Sequence, residues 1–346
     1  MTKLPDKRKG GDGSDALKKV LLAGAVVGGA ALANAFIFYK TPPLASVLDG
    51  GEVRYFPTPD GDVFYKKFGD GPPLLLIHSI GAGCSSYEFR NVWKSLAEKY
   101  TVYALDLIGF GKSDKPDLVY TAETFIHLLD DFCRQVIGVG GGRGETDVIA
   151  SSLSAAYVIT LSQRDPSIFR RLVLVCPTGM EELEKAPGTK GGVVRTALKA
   201  PVLGTSVYNA ITSRASIRSY LARNVYANPT FVSEEVVNQY HTSAHQPGGD
   251  RVLPSFIGGQ LNANVREAFK GVVDLPLLVW GRQAKETPLT QAEAFLSANP
   301  HAKLEVIEDA GLLPHEEQPD AFLAAVRPFL AAADDHDPQL AELAAA

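Results

Sequence analysis

Ser151, Ser152 and Ser154 follow the apolar run at residues 147–150 and precede a helical stretch that begins near Leu153. At the start of a helix the backbone N–H groups are free and favour negative charge, so a hydroxyl there could serve as a nucleophile or simply cap the helix. A neutral hydroxyl attacks poorly. It needs a base, and the base needs a carboxylate to orient it. Nothing in the spacing of His241 and His245 ties them to a site, and surface positions are expected for both. Cys84, Cys133 and Cys176 lie far apart without a C-x-x-C pair, which argues against a disulfide framework or a zinc site and for packing roles. No cluster of His and carboxylates has metal-ligand spacing, and the glycines at 138–144 precede a strand instead of opening a helix, against dinucleotide binding. No metal and no cofactor are expected.

The elements that must position these groups alternate short β-branched runs with amphipathic helices, the order of an α/β fold with a mostly parallel sheet. Strands are predicted at 63–68, 74–78, 101–105, 147–150, 172–175, 277–280 and 304–307, and the continuous apolar runs at 74–77 and 172–175 predict central strands buried on both faces. Between 177 and 274 the strand pattern gives way to helices at 193–200, 216–223 and 233–241, punctuated by prolines. The β–α rhythm returns with helices at 291–299 and 320–332. The chain of 346 residues thus divides into a basic arm (1–19), an apolar helix (20–39), a proline-bearing connector (40–59), a first core segment (60–176), a helical insertion (177–274), a second core segment (275–332) and an Ala-rich tail (333–346). With 45% hydrophobic and 21% charged residues the body is an ordinary globular composition, and a net charge of -5 lacks the basic surface that nucleic-acid binding requires.

Residues 20–39 carry no charged side chain, and at about 1.5 Å per helical residue they span about 30 Å, the thickness of a bilayer's hydrocarbon layer. A single transmembrane helix is expected there. Lys18 and Lys19 place the amino terminus in the cytoplasm by the positive-inside rule, which puts the globular domain on the extracytoplasmic side. Ala33-Asn34-Ala35 offers the alternative of a cleaved secretory signal.

Four separated segments share one pattern. Ile77-His78-Ser79-Ile80-Gly81-Ala82-Gly83 and Asp106-Leu107-Ile108-Gly109-Phe110-Gly111-Lys112-Ser113-Asp114 each follow a strand. Ala150-Ser151-Ser152-Leu153-Ser154 follows a third, and Trp280-Gly281 ends a fourth. In this order they resemble the α/β-hydrolase superfamily of capped, serine-nucleophile type, over roughly residues 52–332. The resemblance implies the α/β-hydrolase fold, with a helical cap between the sixth and seventh strands. It also implies a nucleophile elbow, a sharp strand-to-helix turn usually written G-x-S-x-G, in which Ala150 and Ser154 replace the glycines and Ser152 is the exposed serine. The backbone N–H groups of Ile80 and Leu153 would form the oxyanion hole.

Two expected triad members are missing. The family's acid often stands in a stretch like W-G-x-x-D ahead of T-P, and this chain has Ala284 at that place in Trp280-Gly281-Arg282-Gln283-Ala284-Lys285-Glu286-Thr287-Pro288. The histidine that normally follows Ala-Gly is Leu312 in Ala310-Gly311-Leu312-Leu313-Pro314-His315-Glu316-Glu317. A displaced triad of Ser152, His315 and Glu286 is one expectation, giving a membrane-anchored hydrolase of apolar ester-type substrates. The other is a non-catalytic member of the fold that binds an apolar or lipid-like ligand or a membrane partner.

Overall fold

The computed structural model describes residues 13–45, 48–139, 146–180, 189–200, 202–273 and 276–332. Eight strands form one sheet: β1 (Glu52–Thr58), β2 (Gly61–Phe68), β3 (Pro73–Ile77), β4 (Thr101–Leu105), β5 (Thr146–Ser151), β6 (Phe169–Val175), β7 (Leu277–Gly281) and β8 (Lys303–Ile307). Their spatial order is β1-β2-β4-β3-β5-β6-β7-β8, with β2 antiparallel to both neighbours and every pair from β4 onward in that order parallel. The predicted strands all form. β1 was not anticipated, since it lies in the stretch expected to be a connector and pairs through Pro57 at the sheet edge, where a missing donor costs no ladder bond.

Strand side chains alternate between two buried layers. Leu75 and Ile77 of β3 face the layer that also holds Phe125 and Tyr157, while Leu74 and Leu76 face the layer of Trp93, Phe322 and Val326. Before β7 the helices are α1 (Gly13–Lys40), α2 (Trp93–Ala97), α3 (Ala122–Phe132), α4 (Leu153–Arg164) and, in the insertion, α5 (Thr189–Leu198), α6 (Leu203–Ile211), α7 (Arg214–Tyr220), α8 (Glu234–Ala244), α9 (Leu253–Ile257) and α10 (Arg266–Lys270); of these α2, α3 and α4 pack into the two layers. After β7 come α11 (Ala292–Ala298), α12 (Pro314–Glu317) and α13 (Pro319–Ala331). The insertion lies between β6 and β7, and two of its helices begin at serine caps: at α7 Ser213 accepts from Ser216 N–H and at α8 Ser233 accepts from Val236 N–H. The glycine run 138–144 and the tail from 333 fall mostly or wholly outside the described residues.

Residues 20–39 lie within α1, but among the described residues no helix is long and apolar enough to cross a membrane. The carboxy-terminal part of α1 is committed to the insertion. Asn34 Nδ2 donates to Val202 O (3.2 Å) and Ser206 Oγ (3.0 Å), Asn209 donates to Asn34 Oδ1 (2.9 Å), and Phe38 stacks on Tyr208 at 6.4 Å. The uncommitted stretch 20–33 would measure only about 21 Å as a helix, short of the ~30 Å a span needs. Leu22, Val26, Val27, Leu32 and Phe36 nevertheless turn outward.

Candidate functional site: a serine elbow without its histidine

The β5–α4 junction brings the chain through a turn that few side chains tolerate. Ser152 has φ 54° and ψ −122°, outside the regions that L-residues prefer, a strain of about 1–3 kcal/mol that persists only where surroundings impose it. Its N–H donates to Val175 O at 2.8 Å, anchoring the turn to β6. Its hydroxyl caps no N–H of α4 and makes no hydrogen bond among the described residues, so the capping role open to it in the sequence is not the one it fills. Ser154, in place of the second elbow glycine, is fully buried and donates from Oγ to His78 O at 2.6 Å. The larger residue therefore ties α4 to the end of β3.

The loop after β3 is fixed from several sides. His78 Nε2 accepts from Leu107 N–H (3.0 Å) while Nδ1 lies 2.7 Å from Ser79 O, which places the ring proton on Nδ1. The second glycine-bearing segment is structural: Asp106 accepts from Ser86 N–H and Lys112 N–H, both at 2.8 Å. Gly111 packs so tightly that a Cβ there would stand 2.1 Å from the Asp106 carboxylate.

Ser152, Leu153 and Ile80 line one cavity of about 540 Å³ between core and insertion. The N–H groups of Ile80 and Leu153 have no acceptor among the described residues, so both are available to an oxyanion. Leu312 and Leu313 also line the cavity, and Leu312 N–H is held by Val225 O at 2.7 Å. The insertion contributes Ile211, Tyr220 and Phe256, whose side chains reach from the cavity to solvent. The Thr178 and Thr287 hydroxyls are buried against the same cavity without hydrogen-bond partners among the described residues, and sequence reasoning missed both. Cys84 lines it too, but burial pushes its thiol up to about 12, which keeps it protonated and unreactive.

The other two residues of the displaced triad are not assembled with Ser152. His315 does not line the cavity: it is wholly buried on α12, stacked on Phe89 at 5.0 Å and against Phe322 at 5.5 Å, with neither ring nitrogen hydrogen-bonded among the described residues. A proline start and a core-facing first turn carry the imidazole inward, away from the loop where a base would have to stand. Glu286 lines the cavity, yet it is exposed and its carboxylate accepts from Asn224 of the insertion. Ala284 is buried, and the neighbouring Gln283 does the bridging there, accepting Ala310 N–H at 3.1 Å and donating its own N–H to Ala310 O at 2.9 Å. Among the described residues lining the cavity there is one carboxylate and no Lys, Arg or His.

The two acids after His315 are structural. Glu316 is fully buried, 3.0 Å from Arg90 and bonded by the Tyr226 hydroxyl; burial pushes its carboxyl up and outweighs both partners. Glu317 accepts from Gly311, Ala227 and Asn228 N–H groups, linking the 310–312 loop to the insertion, and burial raises its carboxyl as well. His241 and His245, expected at the surface, instead pack in the insertion with ring centroids 4.2 Å apart, and His245 is fully buried against Phe38. The odd feature in the sequence was their helical spacing of four, which puts both rings on one face of α8.

The comparisons with known proteins agree with this architecture. Residues 74–325 match the family model described as "Alpha/beta hydrolase family". The chain is 26% identical over 279 residues to 2-hydroxy-6-oxo-6-(2'-aminophenyl)hexa-2,4-dienoic acid hydrolase of Metapseudomonas resinovorans, covering 77% of this chain and 86% of that protein. It is 25% identical to 2-hydroxymuconate semialdehyde hydrolase of Pseudomonas sp. (strain CF600), over 77% of this chain and 89% of that one. Among solved structures, a serine hydrolase involved in carbazole degradation superposes with a TM-score of 0.66 at 22% identity, over 82% of this chain and 99% of that one. A membrane phospholipase A superposes at 0.62 with 20% identity, over 92% and 98%. The strained serine between β5 and α4, the insertion between β6 and β7 and the extent of the family match have one meaning: this chain belongs to the alpha/beta hydrolase family.

Proposed function

We propose that the cavity over Ser152 takes a neutral, largely apolar ester-type compound and that Ser152 attacks it without an imidazole base, so that acylation is slow. The observation that carries this reading is the strained turn at Ser152 facing a cavity lined by Ile80 and Leu153, whose N–H groups have no acceptor among the described residues. In the first step Ser152 Oγ bonds to the carbonyl carbon, its proton passes to water, and the carbonyl oxygen becomes an oxyanion held by the two N–H groups. Collapse expels the alcohol as an alkoxide that takes a proton from water, and a second water later releases the acid from Ser152. Removing the base of an intact triad costs on the order of 10⁶ in turnover and leaves about 10³–10⁴ over water from oxyanion stabilisation and binding. The lining favours an uncharged compound: with no cation among the described lining residues, a carboxylate such as the dienoic acid named for the Metapseudomonas relative has no ionic partner there.

The outward-facing apolar side chains of α1 support a second part of the proposal, that residues 20–33 lie on a membrane surface. The membrane phospholipase A is the neighbour whose printed activity fits a lipid-like ester.

Leu312 in the histidine's place and the unpartnered Ser152 hydroxyl favour one competing reading, a protein that binds the ligand without chemistry. Incubation of concentrated protein with p-nitrophenyl butyrate, followed by mass spectrometry of the intact chain, separates them. A butyryl adduct that Ser152→Ala abolishes supports acylation. Saturable binding with no adduct and no Ser152-dependent release of p-nitrophenol establishes the binding protein.

A further inference from the structure

Behind the loop that supplies the Ile80 N–H lies a buried carboxylate that the chemistry above does not use. Glu88 is 1% exposed, and its Oε2 accepts from both Ser79 N–H (2.9 Å) and Ser79 Oγ (2.7 Å). Its other oxygen makes no hydrogen bond among the described residues and stands 3.5 Å from His315 Nε2. Burial pushes the Glu88 carboxyl up, but His315, His78 and the nearby Ser151 hydroxyl outweigh it and hold the group below the ordinary glutamate range. An ionised carboxylate in such a place is costly unless it is compensated.

The peptide unit after Ser79 shows what this arrangement achieves. Its carbonyl, Ser79 O, is held at 2.7 Å by His78 Nδ1–H, and its amide is the Ile80 N–H. A trans peptide is planar with C=O and N–H pointing in opposite directions, so fixing the carbonyl toward His78 fixes the N–H on the far side, where Ile80 lines the cavity. Glu88 holds the preceding N–H and hydroxyl, which removes the remaining rotation of this residue.

We propose that Glu88 and His315 are positioning residues: Glu88 clamps Ser79 so that the Ile80 N–H is aimed at the oxyanion, and His315 stabilises the buried charge that does so. The inference rests on the reading of Ser152, Ile80 and Leu153 as the reacting site. It gives His315 a role in the site without contact with the serine.

The test compares the full chain with Glu88→Ala, Glu88→Gln, His315→Phe and the double variant Glu88→Gln/His315→Phe. Two readouts are taken: Ser152-dependent release of p-nitrophenol from p-nitrophenyl butyrate, and hydrogen exchange of the Ser79 amide. Loss of one oxyanion donor costs about 10²–10³ in turnover, and a misaimed donor loses part of that. Glu88→Ala is therefore expected to lower kcat about 10- to 100-fold with KM nearly unchanged, and to speed Ser79 exchange while neighbouring β3 amides stay protected. Glu88→Gln keeps an acceptor oxygen for Ser79 and is expected to retain most of both properties. His315→Phe leaves a buried charge unpaired and is expected to be more damaging in wild type than in the Glu88→Gln background. Unchanged kcat in folded Glu88→Ala, or additive effects in the double variant, would overturn the proposal. If wild type shows no Ser152-dependent release, the hydrolase reading fails by itself. The Ser79 exchange then decides the clamp: unchanged protection in Glu88→Ala overturns it.

Discussion

The most direct perturbation returns the missing base. Leu312 lines the same cavity as Ser152, and its backbone is fixed by Val225 O, so Leu312→His places an imidazole on a held loop without moving it. The side chain borders a cavity of about 540 Å³, so the substitution does not overpack; the loss is the apolar burial of a leucine that is 8% exposed, about 1.5–3 kcal/mol. An intact triad is worth on the order of 10⁶ over the same site without its base, and an imidazole lacking its orienting carboxylate forfeits about 10⁴ of that. The single variant should therefore gain about 10²-fold in kcat. Leu312→His with Ala284→Asp recovers the orienting group, and a residual misplacement of ~1 Å subtracts about 10²-fold, which leaves a gain of about 10⁴. The assay is steady-state hydrolysis of p-nitrophenyl butyrate in both variants, each repeated on a Ser152→Ala background. A folded double variant that binds substrate but turns over no faster than wild type would refute the identification of Ser152 as the nucleophile position.

Three further expectations concern the surrounding structure. Replacing Ser154 with Ala removes the bond to His78 O and leaves that buried carbonyl without its donor, so chemical denaturation should show a loss of about 1–3 kcal/mol, whereas Ser154→Gly should cost at least as much through backbone freedom despite restoring the family pattern. Asn34→Leu should release the carboxy-terminal half of α1 from α6, detectable as faster proteolysis between α1 and β1 with the cavity over Ser152 intact; unchanged cleavage would show that Phe38 alone holds the contact. Burial, then His245 and Arg214, push His241 down to about 4, and burial lowers His245 as well, with Arg214 adding to it and Asp250 opposing. These imidazoles are neutral in the fold, and the unfolded chain takes up protons first as pH falls. The stability they contribute is therefore present at neutral pH and lost from about pH 6.5 down through about 4. Melting curves should show Tm falling over that window, less steeply in His241→Gln.

Much of the architecture was legible because the physical signal was local. Continuous apolar runs at 74–77 and 172–175 mark strands buried on both faces, and the loss of the strand pattern, with prolines between helical stretches, marks the insertion. β1 was not legible: it lies in a stretch punctuated by four prolines, Pro57 among them, and its Val53 and Tyr55 stay exposed, so that only its pairing with β2 shows it as a strand. In the site, the resemblance implies Ser152 and Leu153 through an elbow with small flanking residues at fixed spacing, and Ile80 through the segment that follows β3. The absence of an imidazole at 312 could be read as well. The destination of His315 could not, because three residues downstream of a loop is within reach of a cavity in sequence terms, and only the packing of Phe89 and Phe322 shows that the ring turns inward. Glu88 carried no signal at all, since its partner Ser79 is nine residues away and its partner His315 lies on another element.

The carboxylate of Glu317 has a consequence for traffic through the cavity. It is grasped by Gly311 from the core and by Ala227 and Asn228 from the insertion, so the inner seam between the two layers is riveted at one point. The insertion is held to the core at that point and resists lifting there. Ile211, Tyr220 and Phe256 line the cavity and are also exposed, so among the described residues they mark where it meets solvent, and bulk introduced at any of these three would narrow that opening.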